Sequence, residues 1–416
     1  MREQNPTSSF GRLISTTACA FLLCSALAAA QTTTILHQFQ ATNSKDGTSS
    51  YAGLLAGPHG ELYGNTYQGG KNNLGIIFEL IPASGGSFRY SILYSFGAPP
   101  DGQLPRGTLT RDRNGNLYGT TQSGGAFGCG TVFELSPPAT IGGAWTESVL
   151  YSFNCINGQV DAANPLAGVV FDNFGNLYGT AEGGGTFGLG AIFKLTPPST
   201  SGGAWTETVL HNFSSGHDGA EPFYGITFAG HGIFYGFTPY GGIFGNGTFY
   251  QMTAGGKETV LYTFRNSTDG GAPSGSPILD SSGNIFGTAN VGGATNNGVV
   301  FEFTPPAVIG QPWTETVLYS FSFTDGFSPS GVTFGPSGVL YGTSWGGGDT
   351  SSDGVVFELI PPTSGGSWTE LVLHSFNGSG DGQSVWAAPT LVNGTLYGVT
   401  HIGGTKNAGT VFAVTP

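Results

Sequence analysis

The chain has 416 residues, 73 of them glycine, with 13% aromatic and only 9% charged side chains. Glycine without a G-X-Y period excludes collagen, and low charge with mean hydropathy near zero argues against simple disorder. A formal charge of −13 would repel phosphate backbones, so nucleic acid is a poor partner.

At the N-terminus, Arg2 and Arg12 flank a polar start. An apolar run follows through Ala20, Phe21, Leu22 and Leu23, and small residues Ala28-Ala29-Ala30 close it. This is the pattern of a secretory signal over residues 1–30, cleaved after Ala30, with a buried helix as the alternative. Bulky Phe21-Leu22-Leu23 before Cys24 argues against a lipid anchor, and no later stretch is apolar enough for a transmembrane anchor. Residues 31–416 then hold 10 basic and 24 acidic side chains, net −14. Cys129 and Cys155 are the cysteines that remain, in an exported and oxidising setting.

From residue 31 onward the chain repeats. Leu62-Tyr63-Gly64 recurs as Leu117-Tyr118-Gly119, Leu177-Tyr178-Gly179, Phe234-Tyr235-Gly236, Ile285-Phe286-Gly287, Leu340-Tyr341-Gly342 and Leu396-Tyr397-Gly398. The gaps between central aromatics are 55, 60, 57, 51, 55 and 56 residues, a period that signals a repeat architecture. The second copy offers four strand-like runs: Gly107–Thr110, Asn116–Thr121, Gly130–Leu135 and Trp145–Phe153. β-Branched and aromatic residues dominate them, and the fourth alternates clearly. Asp112-Arg113-Asn114-Gly115 between the first two is a hairpin turn.

Seven such units predict an all-β, seven-bladed β-propeller of four-stranded antiparallel blades in a single domain over residues 31–416. The termini add a detail. Ile35–Phe39 is a fourth-strand sequence, whereas the chain ends on the third-strand sequence Gly409–Val414. Residues 32–40 are therefore expected to supply the outer strand of the last blade, closing the ring and hiding an edge. Cys129 precedes a third strand and Cys155 follows the adjacent fourth strand, so a disulfide is expected, against the alternative of two free thiols.

The repeat core, as in Gly115-Asn116-Leu117-Tyr118-Gly119-Thr120-Thr121 with Gly124-Gly125 and Gly130-Thr131-Val132-Phe133, resembles the bacterial GloVer tandem-repeat family, whose members are called choice-of-anchor proteins because different sorting tails follow the repeats. The resemblance covers roughly residues 32–416. It implies export and a repeat architecture, and supplies no accepted activity and no catalytic residues. No anchor follows Pro416, which leads to the expectation of a soluble secreted or periplasmic protein.

Residues common to all blades are most simply architectural. The Asp-Gly pairs at Asp46, Asp101, Asp218, Asp269, Asp325 and Asp381, with the variant Asp161-Ala162, are either a carboxylate ring at the channel mouth or Asx turns; the turn is favoured. Asp112, Asp172 and Asp280 are expected in turns. Trp145, Trp205, Trp313 and Trp368 are expected to pack, and His37, His211 and His374 to be surface or packing residues. Gly342-Thr343-Ser344-Trp345-Gly346 matches the nucleophile elbow, but no helix follows to build one. No metal-ligand spacing or cofactor fingerprint appears, so neither metal nor cofactor is expected.

Variable positions carry the functional expectation. Because strands alternate in direction, loops entering first strands and leaving second strands share one face. There the columns read Tyr67, Gln122, Glu182, Pro239, Asn290, Trp345, His401 and Tyr51, Arg106, Leu166, Phe223, Ser274, Ser330, Trp386. Tyr51, Tyr67, Arg106, Glu182, Phe223, Trp345, Trp386 and His401 are the candidate ligand-binding residues, because aromatic platforms with a few polar groups suit a glycan or small organic ligand. The leading reading is a monomeric, non-catalytic binding module for a glycan, peptide or cell-surface partner. The alternatives are a secreted hydrolase or lyase with Glu182 and His401 as acid–base pair, and a structural cell-surface repeat protein.

Overall fold

A computed structural model describes residues 32–40, 45–140, 142–156, 161–200, 202–308, 310–349, 351–363 and 365–416. The expected secretory signal over residues 1–30 lies outside the described residues. The strands form seven four-stranded antiparallel blades in a ring, a β-propeller. In the second blade, Thr110–Arg111, Leu117–Gly124, Thr131–Ser136 and Thr146–Ser152 follow one another from hub to rim. Among the described residues the helical content is two single turns, Ser84–Gly86 and Pro336–Gly338.

The recurring aromatic-Gly step has a steric cause. A Cβ on Gly119 would lie 2.7 Å from the Phe133 ring of the adjacent third strand. The same contact recurs at Gly64 against Phe78 (2.4 Å), Gly179 against Phe193 (2.5 Å), Gly342 against Phe357 (2.2 Å) and Gly398 against Phe412 (2.4 Å). The glycine makes room for a fully buried ring sandwiched between blades. The tryptophans that open fourth strands pack on the preceding blade. Trp145 meets Tyr63 at 6.3 Å, Trp313 meets Tyr235 at 5.5 Å, and Trp205 and Trp368 join the interblade cores.

Polar side chains also join blades near the hub. Asn65 donates to the Gly107 carbonyl at 2.7 Å, Thr120 to Ala167 at 2.7 Å, Thr180 to Tyr224 at 2.9 Å and Thr343 to Ala387 at 2.8 Å. These bonds explain the polar position after the aromatic-Gly step, since buried carbonyls there would otherwise lack partners.

One strand departs from expectation. The predicted first strand Gly107–Thr110 is not continuous: Gly102–Pro105 and Thr110–Arg111 pair separately with Leu117–Gly124. The gap falls where Gly107 meets Gly168 of the next blade, backbone against backbone. Blades five and six instead carry long first strands, Gly271–Leu279 and Phe327–Phe334, each with a register shift.

The termini pair as expected. Thr32–Gln38 runs antiparallel to Thr410–Thr415, with Thr33 opposite Val414 and Ile35 opposite Phe412. Phe39 follows, fully buried in the core shared with blade one. Cys129 and Cys155 are bonded, with Cα atoms 6.0 Å apart and a sequence separation of 26.

Candidate functional site

The inner strands leave a cavity of about 730 Å³ at the hub. Its wall is mostly inner-strand backbone and small residues, because glycines and alanines occupy the points where seven strands converge. Larger side chains enter from the loops of one face, and they are unevenly distributed.

Blades six, seven and one supply an aromatic wall. Tyr51 sits at its centre, with ring centroids 5.4 Å from Tyr67, 5.8 Å from Trp386 and 4.2 Å from His401. Trp386 meets Trp345 at 6.3 Å, and Trp345 meets Phe327 at 5.6 Å. Trp386 and Trp345 keep 36% and 40% of their surface in solvent, so their faces are available to a ligand. On the other side of Tyr51 the Arg106 guanidinium lies 4.3 Å from the ring centroid, a cation–π contact.

Charge is confined to blades two to four. Burial raises the Glu182 carboxyl above its usual range, the Arg106 charge opposes that shift, and Glu221 adds to it. Burial lowers His401, a backbone hydrogen bond with Ser50 opposes that shift and the Arg106 charge adds to it, so the neutral ring is favoured. Its Nδ1 is buried without a partner. Glu182 and His401 each respond to Arg106, and no contact joins them to each other. Of the eight candidates, Tyr51, Tyr67, Trp345, Trp386 and His401 form the wall, Arg106 packs on Tyr51 and its charge reaches Glu182, and Phe223 stands apart from them; Tyr51, Arg106, Phe223 and Trp386 line the cavity itself.

Phe223 stacks edge-on with Tyr240 at 5.7 Å, and both line the cavity. Tyr240, Tyr224 and Phe327 belong to the rim although they fall outside the sequence columns. Each lies one to three residues from a column member, which is the signal a narrower alignment misses. Other column members are structural: Ser274 donates to Pro329 O at 2.6 Å and Ser330 to Val385 O at 2.7 Å.

The repeated aspartates do not ring the mouth. Each is clamped by a fourth-strand Tyr or His, as in Tyr94 to Asp101 (2.9 Å), Tyr151 to Asp161 (3.0 Å) and Tyr262 to Asp269 (2.9 Å). His37, His211 and His374, expected as surface or packing residues, make the same clamp to Asp46, Asp218 and Asp381 at 2.9, 3.1 and 2.8 Å. Asp112, Asp172 and Asp280 each accept from backbone N–H groups two and four residues on, as turn residues do. Ser344 is buried and donates to Gly346 O at 2.8 Å, within a strand and with no helix following it. Among the described residues no three His, Cys, Asp or Glu side chains converge as metal ligands would. Nor, among those residues, is any helix long and apolar enough to cross a membrane.

Sequence comparison finds a family model, the Gloeobacter/Verrucomicrobia repeat, that matches residues 23–227 and 199–412. No curated protein matches the chain. A solved structure of a protein of unknown function from Dyadobacter fermentans is 12% identical, covering 93% of this chain and 98% of that one, with a TM-score of 0.42.

Proposed function

Because the chain belongs to the Gloeobacter/Verrucomicrobia repeat family, whose repeats here build a propeller, we propose that it is an extracytoplasmic binding module that takes a glycan at the hub rim. The carrying observation is the asymmetry of that rim. A frame repeated seven times presents, at a single arc, the contacting aromatic series Tyr67, Tyr51, Trp386 and Trp345. Sugars bind through stacking of their apolar C–H faces on such rings, with hydroxyls held by a few polar groups. Arg106 and Glu182 are those groups. The leader pattern and the Cys129–Cys155 bond support an extracytoplasmic setting.

The test is retention of residues 31–416 on a panel of immobilised neutral and acidic polysaccharides. The wild type is expected to be retained on at least one, and Trp386→Ala with Trp345→Ala to abolish retention while melting within about 2 °C of wild type, since both rings are rim-exposed. Equal retention of the double variant, or no retention of the wild type on any member, overturns the reading. The enzymatic alternative draws on the opposed shifts of Glu182 and His401. It requires release of reducing ends from the retained polysaccharide by wild type and not by Glu182→Gln.

A further inference from the structure

The seams between blades carry a second repeated constellation. In blades two to six the fourth strand places a glutamate, Glu147, Glu207, Glu258, Glu315 or Glu370, against the clamped aspartate of the preceding seam, Asp101, Asp161, Asp218, Asp269 or Asp325. One oxygen of every one of these glutamates, Oε1, is buried without a hydrogen-bond partner. Opposite Glu207, Asp161 is only 7% exposed, and its Oδ1 is likewise buried with no side-chain partner. The same holds for Asp101 Oδ1 opposite Glu147. A carboxylate oxygen buried without a partner in the field of a second carboxylate is unfavourable when ionised.

The two seams of the closing blade show what the position is for. The residue aligned with these glutamates is Tyr90 in blade one and Thr33 in blade seven, as their pairing with Leu80 and Val414 fixes. Tyr90 donates its hydroxyl to Asp46 Oδ1 at 2.6 Å, and Thr33 bonds His374 Nδ1 at 3.0 Å while His374 Nε2 holds Asp381. Where the glutamate is replaced, a hydroxyl stands in its place and is hydrogen-bonded to the clamp.

We propose that each of the five glutamates is held in its buried seam as a neutral carboxylic acid, a hydroxyl of the same kind, so that the five seams are proton-locked and loosen in alkaline surroundings. The two seams of the closing blade, built on Tyr90 and Thr33, do not follow that titration. Burial first, and the facing aspartate second, push Glu207 up to about 8 and Glu147, Glu258, Glu315 and Glu370 up to about 7. The other titratable groups facing these pairs are Tyr94, Tyr151, His211, Tyr262 and Tyr319 of the clamps, with Tyr250 beside Glu258 and Arg265 beside Tyr262. The tyrosines are raised above their usual value and stay neutral throughout the window.

The sign follows from linkage. A carboxyl whose folded pKa lies above its unfolded value stabilises the fold below the unfolded pKa, and that stability is lost as pH rises through the folded pKa. The melting temperature of wild type is therefore expected to fall by several degrees between about pH 6 and about pH 8.5. Glu207→Gln, which donates without titrating, should melt no lower than wild type at the upper pH and show a smaller fall. Tyr90→Phe should lower the melting temperature by the same amount across the window from about pH 6 to about pH 8.5. Carboxyl ¹³C NMR of the wild type should show Glu207 titrating with a midpoint near 8, a readout independent of whether any variant folds. A flat or rising wild-type profile, an acidic midpoint for Glu207, or a less stable Glu207→Gln at the upper pH overturns the proposal. So does rescue of the wild type by calcium at the upper pH, which would assign the facing oxygens to a cation.

Discussion

Deleting residues 32–40 is expected to lower the melting temperature by more than about 10 °C, or to leave the protein insoluble. The deletion removes the partner of Thr410–Thr415 along the whole strand and exposes its edge. It also removes Phe39, which is 1% exposed, and Leu36, which packs on the same core with Phe78 and Leu80 of blade one. Burying side chains of this size contributes roughly 1.5–3 kcal/mol each. Thr33 and His37 are lost as well, and with them the hydroxyl on His374 and the clamp on Asp46. Both seams of the closing blade are weakened together. Calorimetry of the truncated chain beside residues 31–416 decides the matter, and superimposable melting curves would mean that the ring does not depend on this strand.

The second large effect lies at the hub. Gly168→Ala is expected to cost about 3 kcal/mol, a drop of roughly 5–10 °C. A Cβ there would lie 2.0 Å from the Thr108 carbonyl oxygen, and one on Gly107 would lie 2.2 Å from the Gly168 nitrogen. The obstruction is backbone, which cannot swing aside as a flexible side chain can. Conformational freedom plays no part, since neither glycine has a left-handed φ. Gly216→Ala is the control, because the nearest atom to its Cβ would be Ser214 Oγ at 3.6 Å. Melting of Gly168→Ala within a degree of wild type would show that the inner strands of blades two and three are further apart than the geometry places them.

These two positions also mark what was legible in the sequence. The seven-fold period was readable because the glycine beside Tyr118 and its counterparts cannot be exchanged while Phe133 and its counterparts fill the layer below. The closing strand was readable because Ile35-Leu36-His37-Gln38-Phe39 repeats the fourth-strand pattern of Val149-Leu150-Tyr151-Ser152-Phe153. The broken first strand was not. Gly107–Leu109 has strand-like composition, but the approach of Gly168 prevents continuous pairing there. Convergence at a hub is a property of the ring, and a single blade's sequence does not contain it.

The rim was legible in part for a similar reason. Counting five residues past each aspartate placed Tyr51, Arg106, Phe223 and Trp386 at the cavity, because the Asp-Gly turn fixes where the chain enters the hub. The same count placed Ser274 and Ser330, which are consumed by bonds between blades. The Tyr/His–Asp clamp was present in the sequence as a Tyr or His six to ten residues before each aspartate. It went unrecognised because sharing the Tyr151 position of the fourth strand is consistent with surface or packing residues and does not name a partner. The structure adds the shared partner: the histidine offers an N–H to the aspartate where Tyr151 offers an O–H.

The hub rim exists only if the two ends of the chain share one sheet, since Trp386 and His401 reach Tyr51 across that junction. Thr34 lies opposite Ala413 in the closing sheet. Cysteines at these two positions, introduced by Thr34→Cys and Ala413→Cys in a Cys129→Ser/Cys155→Ser background, should oxidise to one intramolecular disulfide that speeds migration of the denatured monomer on a non-reducing gel. Free thiols, or disulfide-linked dimers alone, would contradict the closed wheel and remove the binding rim with it.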